Sequence, residues 1–237
     1  MNASNTIVVT DWTFPDLTVE ESILKPAGIQ FVASPCKSEA DLIGLCGSAD
    51  AVITQFARIS APVIQAMTRA KAIVRYGVGV DNVDLEAARQ RGIPVCNVPD
   101  YCLDEVADHT LAFILAITRQ VVPNTVHLRA GQWGLATPIS TMKALRDLTV
   151  GVVGFGRIGR EVVQRLRAFK ARVLVFDPVV APGEIEKAGA TPVASLDALL
   201  PQCDIVTPHC PSNAKTRGLF NAVSIARMKP GAILINV

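Results

Sequence analysis

The sequence predicts an α/β protein made of parallel sheets covered by helices. Short apolar runs at 6–10, 30–33, 51–53, 72–75, 150–153, 172–176 and 204–207 alternate with stretches of helical periodicity. Half of the 237 residues are apolar but only 5% are aromatic, so Ala, Val, Ile and Leu carry the core. That composition suits strands buried on both faces.

The totals narrow the class. The length suffices for one large or two modest domains. A formal charge of +2 gives no footprint for nucleic acid or an anionic membrane surface. The chain opens MNASNTIVVTDW, with no basic-then-apolar leader, and no apolar run approaches a membrane span. The six cysteines form no C-x-x-C pair, so reduced thiols in a cytoplasmic protein are expected, and no metal site.

In chain order, residues 6–10 read as a first strand and 20–27 as a helix stopped by Gly28. A strand at 30–33, a helix at 39–46 ended at Gly47 and a strand at 51–53 follow. Pro62 sits in the first turn of a helix at 61–68, where its missing N–H is harmless. The strand at 72–75 runs into YGVGVDNVD, then come a helix at 85–91 closed by Gly92 and a short strand at 94–97. Residues 1–103 thus form a first parallel α/β domain.

The longest helical pattern is 104–122, with Val106, Leu111, Ile114, Leu115 and Thr118 on one side and Asp104 as a candidate cap. It is read as a hinge and subunit-contact helix of a homodimer, opening a second domain at 104–237. A further helix is expected after Pro123, and Trp133 is expected to pack. Later come a helix to Leu200 capped by Ser195, a strand at 204–207, a helix at 221–228 and a strand at 232–237.

Residues 148–178 organise the second domain. The strand at 150–153 is followed by Gly154, Gly156 and Gly159 in G-x-G-x-x-G, then by a helix with Val162, Val163, Leu166 and Phe169 on one face. A second strand, 172–176, ends at Asp177. Gly154 allows the tight turn, Gly156 lets a pyrophosphate approach the backbone, and Gly159 lets the helix pack on the sheet. Free N–H groups at the helix start meet the phosphate charge. Asp177 can accept both ribose hydroxyls and repels a 2′-phosphate, which favours NAD over NADP.

Further stretches carry a resemblance. RYGVGVDNVD (75–84), RGIPVCNVPDYCLDEVADHT (91–110), RAGQWG (129–134), GFGRIG (154–159) with Asp177, DIVTPHCPSNAKTRGLFN (204–221) and MKPGAILINV (228–237) resemble the D-isomer-specific 2-hydroxyacid dehydrogenases over essentially the whole chain. The wording is most like the phosphoglycerate dehydrogenases and the corepressor-like C-terminal-binding proteins. The resemblance implies two Rossmann-like domains, a flavodoxin-like substrate domain and an NAD-binding Rossmann domain incomplete at its C-terminus. The active site would lie in the cleft between them.

It also implies roles. Tyr76, Gly77, Val78 and Gly79 would hold the carboxylate of a small 2-hydroxy or 2-keto acid through backbone N–H groups. Two glycines on one loop fit such a nest, though an ordinary tight turn is the alternative. Arg75 is placed to help bind an anion, or to make a surface ion pair. Arg157 and Ile158 would offer N–H groups to the pyrophosphate. His209, Cys210, Pro211 and Thr216 would lie at the adenosine end, and Asn236 and Val237 beside the nicotinamide. The resemblance implies that phosphoglycerate members tend to carry a second arginine where Thr54 aligns, and its absence lowers, without excluding, 3-phosphoglycerate as substrate.

The family's catalytic arginine, glutamate and histidine would follow Val237, so this chain by itself is expected to bind NAD weakly or not at all and not to turn over. His109, His127 and His209 are read as structural or surface residues, not substitutes. The alternatives are a non-catalytic NAD-sensing, corepressor-like module, and a formate-dehydrogenase-like member, against which the G-V-G nest speaks.

Overall fold

The computed structural model describes residues 5–237. The chain divides into two compact units, one up to Tyr101 and one from Cys102 on.

The first unit runs β1 (Thr6–Val9), α1 (Thr18–Leu24), β2 (Gln30–Ala33), α2 (Glu39–Cys46), β3 (Ala51–Thr54), α3 (Ala61–Ala66), β4 (Ala72–Arg75), α4 (Leu85–Gln90) and β5 (Val95–Cys96). All pairs are parallel, in the order β2-β1-β3-β4-β5, the flavodoxin-like arrangement. Val8 stands opposite both Val32 and Val52, so three strands present branched side chains to one layer. Ile64, Met67 and Ile73 close that core without solvent exposure. The helix starts are locally encoded. Ser38 and Asp41 form a capping box at α2, and the Asp84 carboxylate accepts from Ala87 N–H at α4.

The second unit runs α5 (Leu103–Thr118), α6 (Val121–Arg129), β6 (Thr149–Val153), α7 (Arg157–Ala168), β7 (Arg172–Phe176), α8 (Pro182–Lys187), β8 (Thr191–Pro192), α9 (Leu196–Leu199), β9 (Ile205–Pro208), α10 (Ala222–Ile225) and β10 (Ile233–Leu234). Its parallel sheet, β10-β9-β6-β7-β8, changes direction of winding at β6, the order that puts ligands at the carboxyl ends of the central strands. β6 is buried throughout. One sheet face packs Val150, Val152, Val162 and Leu166, the other Val153, Leu174, Leu199 and Val206.

The helix expected over 104–122 is two helices. Gln120 adopts a left-handed conformation (φ 55°), α5 stops at Thr118, and α6 departs at 64°. Pro123 lies inside the first turn of α6 rather than before it, where no N–H is required. Asp104 is not the cap. The helix begins at Leu103, and Asp104 joins Asp108 and Glu161 around the Arg165 guanidinium, which clamps α5 onto α7. Trp133 does not pack: its side chain is 93% exposed. The strand and helix expected at 232–237 and 221–228 shrink to β10 and α10, with Asn221 as the cap of α10.

Both sheets use the same anchor. Asp50 precedes β3 and its carboxylate accepts from Thr6 N–H at 2.8 Å, while its own N–H donates to Thr6 O. Asp204 precedes β9 and does the same with Thr149, again at 2.8 Å. Arg69 binds Asp50 and Lys229 binds Asp204, each at 2.8 Å. Each aspartate fixes the register between the first strand of its sheet and the neighbour that returns to it.

Two expectations follow. A Cβ on Gly151, in the middle of β6, would lie 2.5 Å from Leu199 Cδ2 and 2.7 Å from Cys203 Sγ. Gly151→Ala therefore lowers stability by about 1–3 kcal/mol, measured by urea unfolding. Burial pushes the Asp204 carboxyl up, but Lys229 and the Thr149 amide outweigh it and hold it below the usual carboxylate range. Its stabilisation is complete above the unfolded value of about 4 and is lost as pH falls through the depressed folded value. Acid unfolding curves for Asp204→Asn start lower at neutral pH and decline less steeply on the acid side.

Candidate functional site

The turn between β6 and α7 is shaped by its glycines. Gly154 has φ +97°, and its N–H donates to Phe176 O at 2.8 Å. A Cβ there would lie 2.7 Å from Cys210 N and 2.9 Å from the carbonyl carbon of His209, so this glycine lets the loop after β9 close against the turn. A Cβ on Gly159 would collide with the carbonyl oxygen of Gly154, so α7 sits directly on the turn that precedes it. Gly156 differs: nothing lies within 4 Å of where its Cβ would be, and it and Arg157 are exposed. Gly156 is also the N-cap of α7, and no side chain caps that helix. Ile158 packs against the core and fixes the helix start. The result is an open approach to an uncapped helix N-terminus, an arrangement that suits a phosphate group.

Asp177, after β7, ties this turn to the next one. Its Oδ2 accepts from Phe155 N–H at 2.7 Å, and its Oδ1 accepts from Val179 and Val180 N–H at 2.8 and 3.0 Å. Burial raises its pKa, but these amides and the nearby Arg160 outweigh it, so the carboxyl is held below the usual range and is ionised at neutral pH. Arg160 stacks over the Phe155 ring at 4.4 Å. Since a carboxylate offers about four acceptor sites, Oδ2 keeps room for an incoming hydroxyl.

The loop after β9 supplies the facing wall. His209 N–H donates to Val153 O at 2.7 Å, and its Nε2 lies 2.9 Å from Thr207 Oγ1. Burial drives its pKa down to about 4, so at neutral pH the ring is uncharged and acts as a tie. Burial likewise pushes the Cys210 thiol up, away from a reactive thiolate. Cys210, Pro211, Thr216 and Asn236, together with Leu219 and Phe220, line a cavity of about 400 Å³. Thr216 Oγ1 donates to Pro211 O and braces the loop. Val237 follows β10 and does not line that cavity.

In the first unit, the loop after β4 carries the second candidate set. Tyr76 N–H donates to Thr54 O and Gly77 N–H to Arg75 O, both at 2.9 Å, so two of the four nest amides are engaged within the chain. Among the described residues, no partner is found for Val78 or Gly79 N–H. The loop is held by Gly77 O accepting from Val98 N–H and Val78 O accepting from Asn97 Nδ2. The Tyr76 ring packs edge-on to Phe14 and its hydroxyl donates to Glu20 at 2.7 Å, so this side chain braces the domain. The Arg75 guanidinium occupies the position a Cβ on Gly77 would take, so the glycine lets the cation fold back over the loop. Arg75 makes no ion pair among the described residues; its Nε donates to Gln55 O at 3.0 Å.

Sequence reasoning did not single out Asp11, Gln55, Phe56 and Asn82, which surround Arg75 or hold its neighbours. Their signal was only positional: Asp11 lies two residues past β1 and Gln55 directly follows β3, at the carboxyl ends of neighbouring strands. No group of three or more metal-ligating side chains occurs among the described residues.

Comparison with known proteins agrees with this geometry. Residues 111–237 match the family model described as D-isomer specific 2-hydroxyacid dehydrogenase, NAD binding domain. D-3-phosphoglycerate dehydrogenase of Mycobacterium leprae is 37% identical over 209 residues, 88% of this chain and 39% of that protein. The chain thus spans about two-fifths of the length of the curated relatives it matches. The D-lactate dehydrogenase of Aquifex aeolicus, solved with NAD and lactic acid, superposes with a TM-score of 0.86 at 27% identity, over 98% of this chain and 68% of that one. The NAD-bound 3-phosphoglycerate dehydrogenase of Entamoeba histolytica superposes with a TM-score of 0.79 at 26% identity, over 99% and 72%. With the glycine turn, the ionised Asp177 and the switch at β6 all inside the matched segment, the chain belongs to the D-isomer specific 2-hydroxyacid dehydrogenase family and carries its NAD-binding domain.

Proposed function

We propose that the chain provides the substrate-binding domain, residues up to about 103, and the NAD-binding domain, from 104 on, of an oxidoreductase acting on D-2-hydroxy and 2-keto acids. The observation that carries this is the uncapped start of α7 beneath an unobstructed Gly156, with Asp177 ionised beside it. Bound NAD would supply or accept the hydride. Gly154, Gly156 and Gly159 shape its seat, Arg157 and Ile158 present amides to the pyrophosphate, and Asp177 takes the adenosine ribose. His209, Cys210, Pro211 and Thr216 wall the adenosine side, with Asn236 and Val237 towards the nicotinamide.

On the substrate side, the Val78 and Gly79 N–H groups lie on the loop over which the Arg75 cation folds back. They would receive a carboxylate, with Tyr76 and Gly77 shaping the loop. Relatives named for D-3-phosphoglycerate and D-lactate bracket the substrate class. Thr54 turns inward to Asp11, so its side chain offers no charge to a distal phosphate.

The second unit leaves an apolar surface bare. α6 buries none of its side chains, and Val121, Val122, Val126, Leu128 and Trp133 all face outward. These exposed apolar side chains follow directly on α5, the helix read as the subunit contact, and support a homodimer built around α5 and α6. The six unpaired cysteines fit a cytoplasmic protein.

Three outcomes test this reading. Calorimetry detects NAD binding to the wild-type chain, and Gly156→Ala weakens it about tenfold or more, a loss of roughly 1.4 kcal/mol, at unchanged melting temperature. Asp177→Asn weakens NAD binding and also loosens the turn at Phe155, seen as faster amide exchange there. In sedimentation, Val126→Asp shifts the chain from dimer to monomer; a wild-type monomer at tens of micromolar defeats the dimer.

A further inference from the structure

Arg75 is aimed by a turn that itself needs a frame. Asp11 follows β1, and its carboxylate collects five hydrogen bonds. Oδ1 accepts from Gln55 N–H (3.0 Å), Thr54 Oγ1 (3.1 Å) and Thr10 Oγ1 (2.8 Å). Oδ2 accepts from Phe56 N–H (2.5 Å) and Ala57 N–H (3.1 Å). Three successive amides converging on one point form an anion nest, filled here by the chain's own carboxylate. Removing that charge would leave three amides without an acceptor, so the shape of the 55–57 turn depends on it.

The far side of the same turn faces Arg75. Gln55 O accepts from Arg75 Nε at 3.0 Å and from Asn82 Nδ2 at 3.4 Å. The Phe56 ring lies 5.7 Å from the guanidinium carbon. Gln55 Oε1 is buried and finds no partner among the described residues. Carbonyl, ring and the bare Cα of Gly77 together define where the guanidinium stands.

We infer that Asp11 is a positioning residue for anion recognition: it shapes the 55–57 turn, whose Gln55 carbonyl and Phe56 ring hold the Arg75 guanidinium over Gly77 to receive a 2-hydroxy acid anion. This rests on the reading of the 75–79 loop as the substrate loop. Asp11 does not touch the ligand; it acts through Arg75.

The test uses the full 237-residue chain, isotopically labelled, with the Arg75 Nε–H resonance identified by its loss in Arg75→Lys. Asp11→Asn keeps the size but turns a donor towards the amides. It is expected to speed solvent exchange of Arg75 Nε–H about tenfold, and to weaken binding of D-glycerate by a similar factor. Resonances of the second unit stay in place. Thr54→Val, which removes one donor to Asp11, gives a smaller change in the same direction and decides alone if Asp11→Asn loses the dispersed spectrum of the first unit. An unmoved Arg75 resonance in a folded variant overturns the inference. Wild-type protein that shows no response at Arg75 to either D-lactate or D-glycerate defeats the substrate-loop reading instead, and the exchange comparison still decides Asp11.

Discussion

The second unit depends on one close contact, that of Gly159 in α7 with the carbonyl oxygen of Gly154. No side chain larger than hydrogen fits there. Because the helix is seated so tightly, its first turn lies against the end of β6, and Gly156 is left as its bare N-cap. A capped helix would be locally more stable by about 1 kcal/mol, but its amides would be occupied. The unit leaves that helix start without a side-chain cap and anchors the turn from below, through Asp177 to Phe155 and through His209 to Val153. Rigid support and an open N-terminus are one arrangement seen from two sides.

This division of labour explains what the sequence could and could not disclose. The strand–glycine–helix–strand unit was legible because every part of it is local: apolar runs, three glycines at fixed spacing, an acid at the strand end. The supporting contacts were not, because they join distant segments. Nothing in the sequence near Gly154 announces that Cys210 will lie against it. The break at Gln120 was missed for a different reason. The apolar pattern continues through Val121 and Val122, and only the left-handed backbone reveals the bend. Trp133 was misjudged because a large apolar residue is ordinarily an inside residue, and here it is not.

In the first unit, the sequence pointed to the 75–79 loop but overcounted its open amides. Tyr76 N–H continues the sheet ladder to Thr54 O, and Gly77 N–H turns back on Arg75 O. What remains is a pair of N–H groups and one cation whose place is fixed from a neighbouring turn. The charge that faces outward is held by a charge that faces inward, Asp11, which binds only its own chain.

The paired aspartates at the strand entrances also bear on how the chain reaches this state. Asp50 reaches back 44 positions to Thr6, and Asp204 reaches back 55 to Thr149. Each of these links closes a longer loop than the β1–β2 and β6–β7 pairs do, and so carries a larger closure entropy. The intervening helices are short-range objects that can flicker into existence early. Joining the central strand pair of each sheet therefore costs more chain entropy than forming any helix between them.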